Sequence, residues 1–223
     1  MSVQSIPVQK RWISLIELLL GSFFVIGHNV LHIVPNEVPI LFALFWISLR
    51  LRESRWNAPN LRRPKSWIRT AAVAVVAAAA LQLGSEFAIG PLAAHLTHTT
   101  ERVSAVFRSP AHDWHHLWQT LALVWTFAAF GEEIGYRGYL LERAGEAGGQ
   151  SRIAWWIALL LASVLFGFGH FYKGPAGVMV STYSGLILGG TYLLCGRNLW
   201  APILAHGISD TFAALVVFLG LAS

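Results

Sequence analysis

The sequence predicts an all-helical membrane protein, a bundle of about seven transmembrane helices. Hydrophobic residues make up 55% of the 223 residues and charged residues only 12%, about half the charged fraction of a typical soluble domain. Seven mostly apolar segments are long enough, or nearly so, to cross a bilayer as helices. A disordered chain and a disulfide scaffold are excluded, because aromatic residues reach 13% and the single cysteine, Cys195, cannot form an intrachain bridge.

No shift in composition divides the chain, so we predict one integral membrane domain over residues 1–223. The second candidate span is short for a crossing of about 20 residues, and it is predicted to be tilted, re-entrant or paired with the first. The first is predicted to be a retained helix, because no small-x-small cleavage site follows it. The candidate spans are residues 12–33, 37–50, 67–94, 116–141, 153–171, 177–195 and 199–221.

The basic residues predict which side of the membrane each loop faces. Lys and Arg are retained on the cytoplasmic side, so alternating spans place the N-terminus, loops 51–66 and 142–152, and Arg197 inside. The turn 35–37 has no Lys or Arg and is predicted to lie outside. Seven of the sixteen Lys and Arg residues lie in loop 51–66 or close to its ends: Arg50, Arg52, Arg55, Arg62, Arg63, Lys65 and Arg69.

This distribution predicts an integral protein of the plasma membrane with a cytoplasmic N-terminus, in contact with the lipid bilayer. The net charge of +5 then results from Lys and Arg residues that orient the protein in the membrane. A nucleic-acid partner is not expected, because such a protein clusters its basic residues on one exposed face with interleaved aromatics.

Three charges lie inside the fourth candidate span, where each costs about 2.5–3.5 kcal/mol on insertion scales. Glu133 and Arg137 are four residues apart, so on a helix they share a face and favour an ion pair. Glu132 is rotated by about 100° from its neighbour, which leaves one carboxylate without the arginine. The alternative hypothesis is that the span ends near Phe130 and that the charges are interfacial.

Two further clusters carry polar groups in later spans. Phe166 and His170 share a face at the end of the fifth span, and the glycines between them allow another helix to approach closely. His206 and Asp210 share a face about seven residues into the last span, so the carboxylate could orient the imidazole. A lone histidine at a helix end is often interfacial, whereas an ionisable pair inside an apolar helix favours a functional role.

Taken together, the patterns E-E-x-x-x-R, F-x-x-x-H and H-x-x-x-D on successive spans resemble those of one family of intramembrane proteases. This is the CAAX protease and bacteriocin-processing family, also called the abortive-infection or type II CAAX prenyl endopeptidase family. The resemblance covers about residues 116–215, and Gly138 follows the arginine as it commonly does there. Asp210 stands where asparagine is more usual. Before residue 116 the chain matches only as generic spans.

The resemblance implies hydrolysis of a peptide bond in a membrane-associated protein or peptide tail, near one terminus. It implies that Glu132 is the general base, that His170 is its partner on the water, and that His206 with Asp210 forms the oxyanion side. Such a site can hydrolyse a peptide bond, because the carboxylate takes a proton from the attacking water and the imidazoles hold the water or stabilise the oxyanion. Zinc is left open: Glu132, His170 and His206 could hold it with one open position, but another group would then have to act as the base.

Other protease signatures are incomplete. The zinc signature H-E-x-x-H is absent, a rhomboid-like G-x-S-G would need glycine at Thr182, and the aspartyl signature G-x-G-D ends in His170 instead. His112, Asp113, His115 and His116 are interpreted as a wet exterior loop in preference to a metal patch.

Two other classes of function remain open. The first is a proton-coupled transporter that uses Glu132, Glu86 and the histidines, although the repeated halves common in carriers are absent. The second is a catalytically inactive scaffold of the same fold. Glu86 and Glu17 both lie inside apolar spans, and the sequence assigns neither a definite role.

Overall fold

The computed structural model describes residues 7–54, 56–102, 104, 107 and 111–221. Regular structure in these ranges is helical throughout, and no strand occurs within them, so the all-helical prediction is confirmed. Arg55, one of the seven basic residues singled out above, lies outside the described residues. The α-helices are α1 (Val8–Asn29), α2 (Glu37–Glu53), α3 (Trp67–Gly84), α4 (Gly90–Thr97), α5 (Trp114–Leu123), α6 (Glu142–Ala147), α7 (Arg152–Gly169), α8 (Gly174–Leu194) and α9 (Trp200–Phe218).

Two π-helical stretches join neighbouring helices into longer rods. Ser85–Ile89 connects α3 to α4, and Val124–Leu141 connects α5 to α6, so the described residues form seven rods. Such i→i+5 segments are rare and occur frequently at functional sites. The longer one contains both glutamates and the arginine of the fourth candidate span.

Each of the seven rods coincides with one candidate span. Four segments are long and apolar enough to cross a membrane: Val8–Asn29, Trp67–Thr97, Phe171–Leu194 and Trp200–Phe218. Arg152–Phe168 is apolar but shorter. The chain is therefore an integral membrane protein with several apolar helices.

Two expectations about where helices begin and end were wrong, and the alternative that the fourth span ends near Phe130 is excluded. Glu37 lies in no turn: Asn36 caps α2 by accepting from the Val38 N–H, and Glu37 is the first residue of that helix and is buried. Arg143 belongs to α6 and not to a loop. The fourth rod continues past Phe130 to Ala147, and Glu133 and Arg137 form an ion pair inside the bundle.

Buried ion pairs join α1, α2 and α6 at one end of the bundle. The Arg52 guanidinium donates to the carboxylates of Glu17 at 2.6 Å and Glu146 at 3.0 Å, and Arg143 pairs with both carboxylates. This network gives Glu17 a role that the sequence did not reveal, and it explains why α6 continues the fourth rod.

The loops rich in Lys and Arg meet at this same end, which we call the basic end. The loop after α2 packs on the connection between α8 and α9, where the Leu199 N–H donates to the Asn60 carbonyl and Asn198 donates to the Arg62 carbonyl. Arg11 donates to the Ala147 carbonyl and brings the start of α1 there as well. Segments 30–36, 98–102, 170–173 and 219–221 lie at the other end, which we call the opposite end.

Glycines let α7 and α8 pack in close contact next to the functional clusters. A Cβ added at Gly167 would lie 2.1 Å from Thr182 Oγ1 and 2.7 Å from the Val178 carbonyl oxygen. A Cβ at Gly185 would lie 2.7 Å from Ser163 Cα. The close approach expected from the glycines of the fifth span is therefore present, and it positions the end of α7.

Gly167→Ala is expected to destabilise the protein by about 1–3 kcal/mol, because the added methyl group overpacks the contact between α7 and α8. Gly190→Ala is the matched control, since a Cβ there meets nothing within 4 Å. The control is expected to be neutral or slightly stabilising, as alanine favours a helix over glycine. Thermal melts of both variants in detergent test this, and equal melting temperatures would contradict it.

Candidate active site

A cavity of about 410 Å³ lies within the bundle and is lined by side chains from several rods. Glu132, on the long π-helical stretch, lines this cavity. His170, the first residue after α7, lines it too, as do His206 and Asp210 on α9. Phe166 also lines it, with apolar and hydroxyl side chains from α3, α5 and α8 completing the wall. Residues that are far apart in the sequence are thus brought to one space.

Glu132 is the carboxylate that remains free in this cavity. Its Oε2 is buried and has no hydrogen-bond partner among the described residues. The charges with which it interacts electrostatically include His206, Asp210, Glu37 and Glu133. A buried acceptor without a protein partner is rare and costly, so packing alone does not account for a glutamate at this position.

Glu133 and Arg137 form the expected ion pair, buried behind the cavity. Arg137 Nη1 donates to Glu133 Oε1 at 2.8 Å, and the two side chains are 2% and 0% exposed, respectively. The same carboxylate oxygen lies 2.9 Å from His206 Nδ1. Asp210 Oδ2 is farther, 3.6 Å from His206 Nε2. The sequence suggested Asp210 as the residue that orients the imidazole, whereas the closer contact comes from Glu133.

Phe166 is the ring around which this site is packed. The Arg137 guanidinium carbon lies 4.3 Å from its centroid, within cation–π range. The rings of Tyr136, His170 and His206 surround it at 5.0, 4.7 and 6.1 Å, respectively. The phenylalanine of the F-x-x-x-H pattern therefore packs against the arginine and both histidines and fixes their positions relative to one another.

The hydrogen bonds of His170 indicate which ring nitrogen is free. Its Nδ1 lies 2.9 Å from the Phe166 carbonyl oxygen, which can only accept. Nδ1 therefore carries the hydrogen, and Nε2 of the neutral ring keeps its lone pair. In this state His170 can accept a hydrogen bond from water in the cavity.

Residues 114–212 match the family model "Type II CAAX prenyl endopeptidase Rce1-like", and this segment contains all three clusters. The match supports membership of the CAAX protease family. Membership implies protease activity in general, on a peptide substrate at a lipid bilayer. No curated protein and no solved structure gives a significant match to the chain.

Glu37 is a further carboxylate near this site that the sequence did not reveal. It is 4% exposed, and its Oε1 accepts from the Tyr136 hydroxyl at 3.2 Å. Its Oε2 has no hydrogen-bond partner among the described residues and lies 3.8 Å from His28 Nε2. Gly169 makes room for this contact, because a Cβ there would lie 2.2 Å from the Tyr136 hydroxyl. The one signal in the sequence was a glutamate at the start of an apolar segment.

A metal centre needs several ligands grouped around one point. Within the described ranges, no group of three or more His, Cys, Asp or Glu residues is placed to hold a metal ion. Glu132, His170 and His206, the three candidate ligands, line the cavity without forming such a group. Whether zinc takes part is left to experiment. Asp113, from the other His-rich cluster, caps α5 by accepting from the His116 N–H.

Proposed function

We propose that this CAAX protease is an intramembrane endopeptidase that cleaves membrane-associated protein or peptide tails with water activated by Glu132. The observation that carries the proposal is the unpartnered Glu132 Oε2 beside a cavity that His170 and His206 also line. A carboxylate oxygen without a protein partner suits a general base, because the base must reach the proton that it removes.

In the first step, water binds between Glu132 and His170. Its oxygen attacks the carbonyl carbon of the scissile bond while Glu132 takes one proton. His170 Nε2 accepts a hydrogen bond from the remaining O–H and orients the water. The product of this step is a tetrahedral intermediate with a negatively charged oxygen.

In the second step, the carbon–nitrogen bond breaks. Protonated His206 donates from Nε2 to the oxyanion, while Glu133 holds Nδ1 and Asp210 balances the charge. Glu132 returns its proton to the leaving nitrogen, so the products are a carboxylic acid and an amine. Arg137 holds Glu133 in place and does not itself touch the substrate.

We further propose that all seven rods cross the plasma membrane, with the N-terminus in the cytoplasm. The support is the basic end, where the loops predicted to be cytoplasmic meet in three dimensions. α2 and the 114–147 rod would then cross with Arg52 paired to Glu17, and Glu133 paired to Arg137, inside the protein.

Hydrolysis can be tested with the purified protein in liposomes that contain a library of lipid-anchored peptides, in ¹⁸O-labelled water. We expect paired fragments in which the new carboxyl group contains one ¹⁸O, and we expect the yield to be unchanged by a chelator. Proton flux across the liposomes without any cleavage would instead support a transporter. Cleavage that is lost with chelator and restored by zinc would overturn the metal-free mechanism.

A further inference from the structure

We infer that the catalytic cavity opens on the extracytoplasmic side of the membrane, so that the substrate is a membrane-anchored segment exposed on that side. The reaction itself rests on the function proposed above. The side on which the cavity opens rests on separate observations, namely the position of its mouth and the distribution of charge between the two ends of the bundle.

The mouth of the cavity lies at the opposite end. Tyr172 and Lys173, which follow α7 at that end, both line the cavity, and Tyr172 is 50% exposed. Ser104 and Phe107, from the connection that follows α4, line it as well. The Arg102 N–H donates to the Lys173 carbonyl and joins the two segments at this rim.

Toward the basic end the cavity is closed by packed side chains. Glu133, Ile134 and Arg137 lie directly behind Glu132 along the fourth rod and are at most 2% exposed. Leu140 and Leu141 continue the same rod, and both are fully buried. A substrate that reaches Glu132 through water therefore enters from the opposite end.

The charges of the two ends differ strongly. The described ranges contain fourteen Lys and Arg residues, of which Arg102 and Lys173 lie at the opposite end and Arg137 is buried between the ends. The Lys173 ammonium is paired with the Glu101 carboxylate at 3.1 Å, which reduces its net effect. The other eleven lie at the basic end: Lys10, Arg11, Arg50, Arg52, Arg62, Arg63, Lys65, Arg69, Arg143, Arg152 and Arg197.

Because Lys and Arg near span ends are retained in the cytoplasm, this bias orients the bundle with the basic end inside. The cavity mouth, at the other end, then faces outward. The substrate class that fits is a membrane-anchored protein whose scissile segment has been exported. A tail that stays in the cytoplasm does not reach the catalytic groups from its own side.

The test is cysteine labelling of the full-length protein in intact cells, in a Cys195→Ser background that contains no native thiol. Tyr172→Cys and Thr100→Cys place a thiol at the opposite end, and Lys65→Cys is the matched control at the basic end. A membrane-impermeant maleimide is expected to label the first two in intact cells. Lys65→Cys is expected to be labelled only after permeabilisation.

Ser184→Cys extends the test into the cavity, since this side chain lines it. We expect this thiol to react in intact cells, with labelling slowed by prior modification of Tyr172→Cys in the double variant. Thr100→Cys keeps the test decisive if a change in the cavity impairs folding. Labelling of Lys65→Cys but not of Tyr172→Cys or Thr100→Cys in intact cells would overturn the inference.

The failure of this inference is distinguishable from failure of the proposed protease function. Labelling requires no activity, so the same pattern is expected in a Glu132→Gln background. Cleavage combined with inverted labelling would refute the outward opening alone. Outward labelling without cleavage of any anchored peptide would refute the protease proposal alone.

Discussion

Glu132→Gln is expected to lower the cleavage rate by about 10²–10⁴-fold while leaving the melting temperature near that of the wild type. The amide keeps the shape of the side chain but cannot take a proton from water. Folding is expected to tolerate the change because Glu132 Oε2 makes no hydrogen bond with the described residues that could be lost. The paired measurement is a thermal melt and a cleavage assay on the same purified protein.

Glu86→Gln is the control for this variant, because Glu86 is an exposed glutamate that does not line the cavity. It is expected to retain both the parental rate and the parental melting temperature. If Glu132→Gln cleaves as fast as this control, Glu132 is not the base and the mechanism proposed here is wrong.

Arg137→Ala is expected to destabilise the protein by about 3–5 kcal/mol, because it leaves the Glu133 carboxylate charged and uncompensated inside the bundle. The substitution also removes the guanidinium from the face of Phe166, which contacts both histidines. Glu133→Gln is expected to lower the melting temperature as well, and to lower activity because His206 loses the carboxylate that orients it.

Arg197→Ala is the matched control, since Arg197 pairs with Glu142 but its side chain is 44% exposed. Pairs at such exposure contribute about 1 kcal/mol or less, so a small change in melting temperature is expected. A double-mutant cycle of Glu133→Gln and Arg137→Ala then isolates the coupling between the buried partners. A melting temperature for Arg137→Ala equal to that of Arg197→Ala would contradict the assignment.

Much of the helical pattern could be predicted because hydrophobic length and i, i+4 spacing are local properties of a chain. The seven candidate spans correspond to seven rods, and the Glu133–Arg137 pair is present as expected. The errors fell on Glu37 and Arg143, charged residues at the ends of apolar runs. Each was assigned to a loop because the residues that compensate it are not visible in its own segment.

The partners of these charged residues are distant in the sequence. Tyr136 is 99 residues from Glu37, and His206 is 73 residues from Glu133. No spacing rule predicts such contacts, because they depend on which rods become neighbours and on how each is rotated. For the same reason, Asp210 was the natural choice to orient His206, as it lies one helical turn away on the same rod.

The amino-acid sequence alone thus determined the all-helical membrane class, the apolar segments, and the three clusters that identify the protease family, since all of these depend on composition and on spacing within a helix. The packing of the rods was needed to show that Glu132 Oε2 has no hydrogen-bond partner among the described residues, that Glu133 joins Arg137 to His206, and that Tyr172 and Lys173 line the same cavity as the three clusters. The physical reason is that hydrogen bonds and ion pairs act over about 3 Å. Only the tertiary arrangement brings side chains of different helices within that distance.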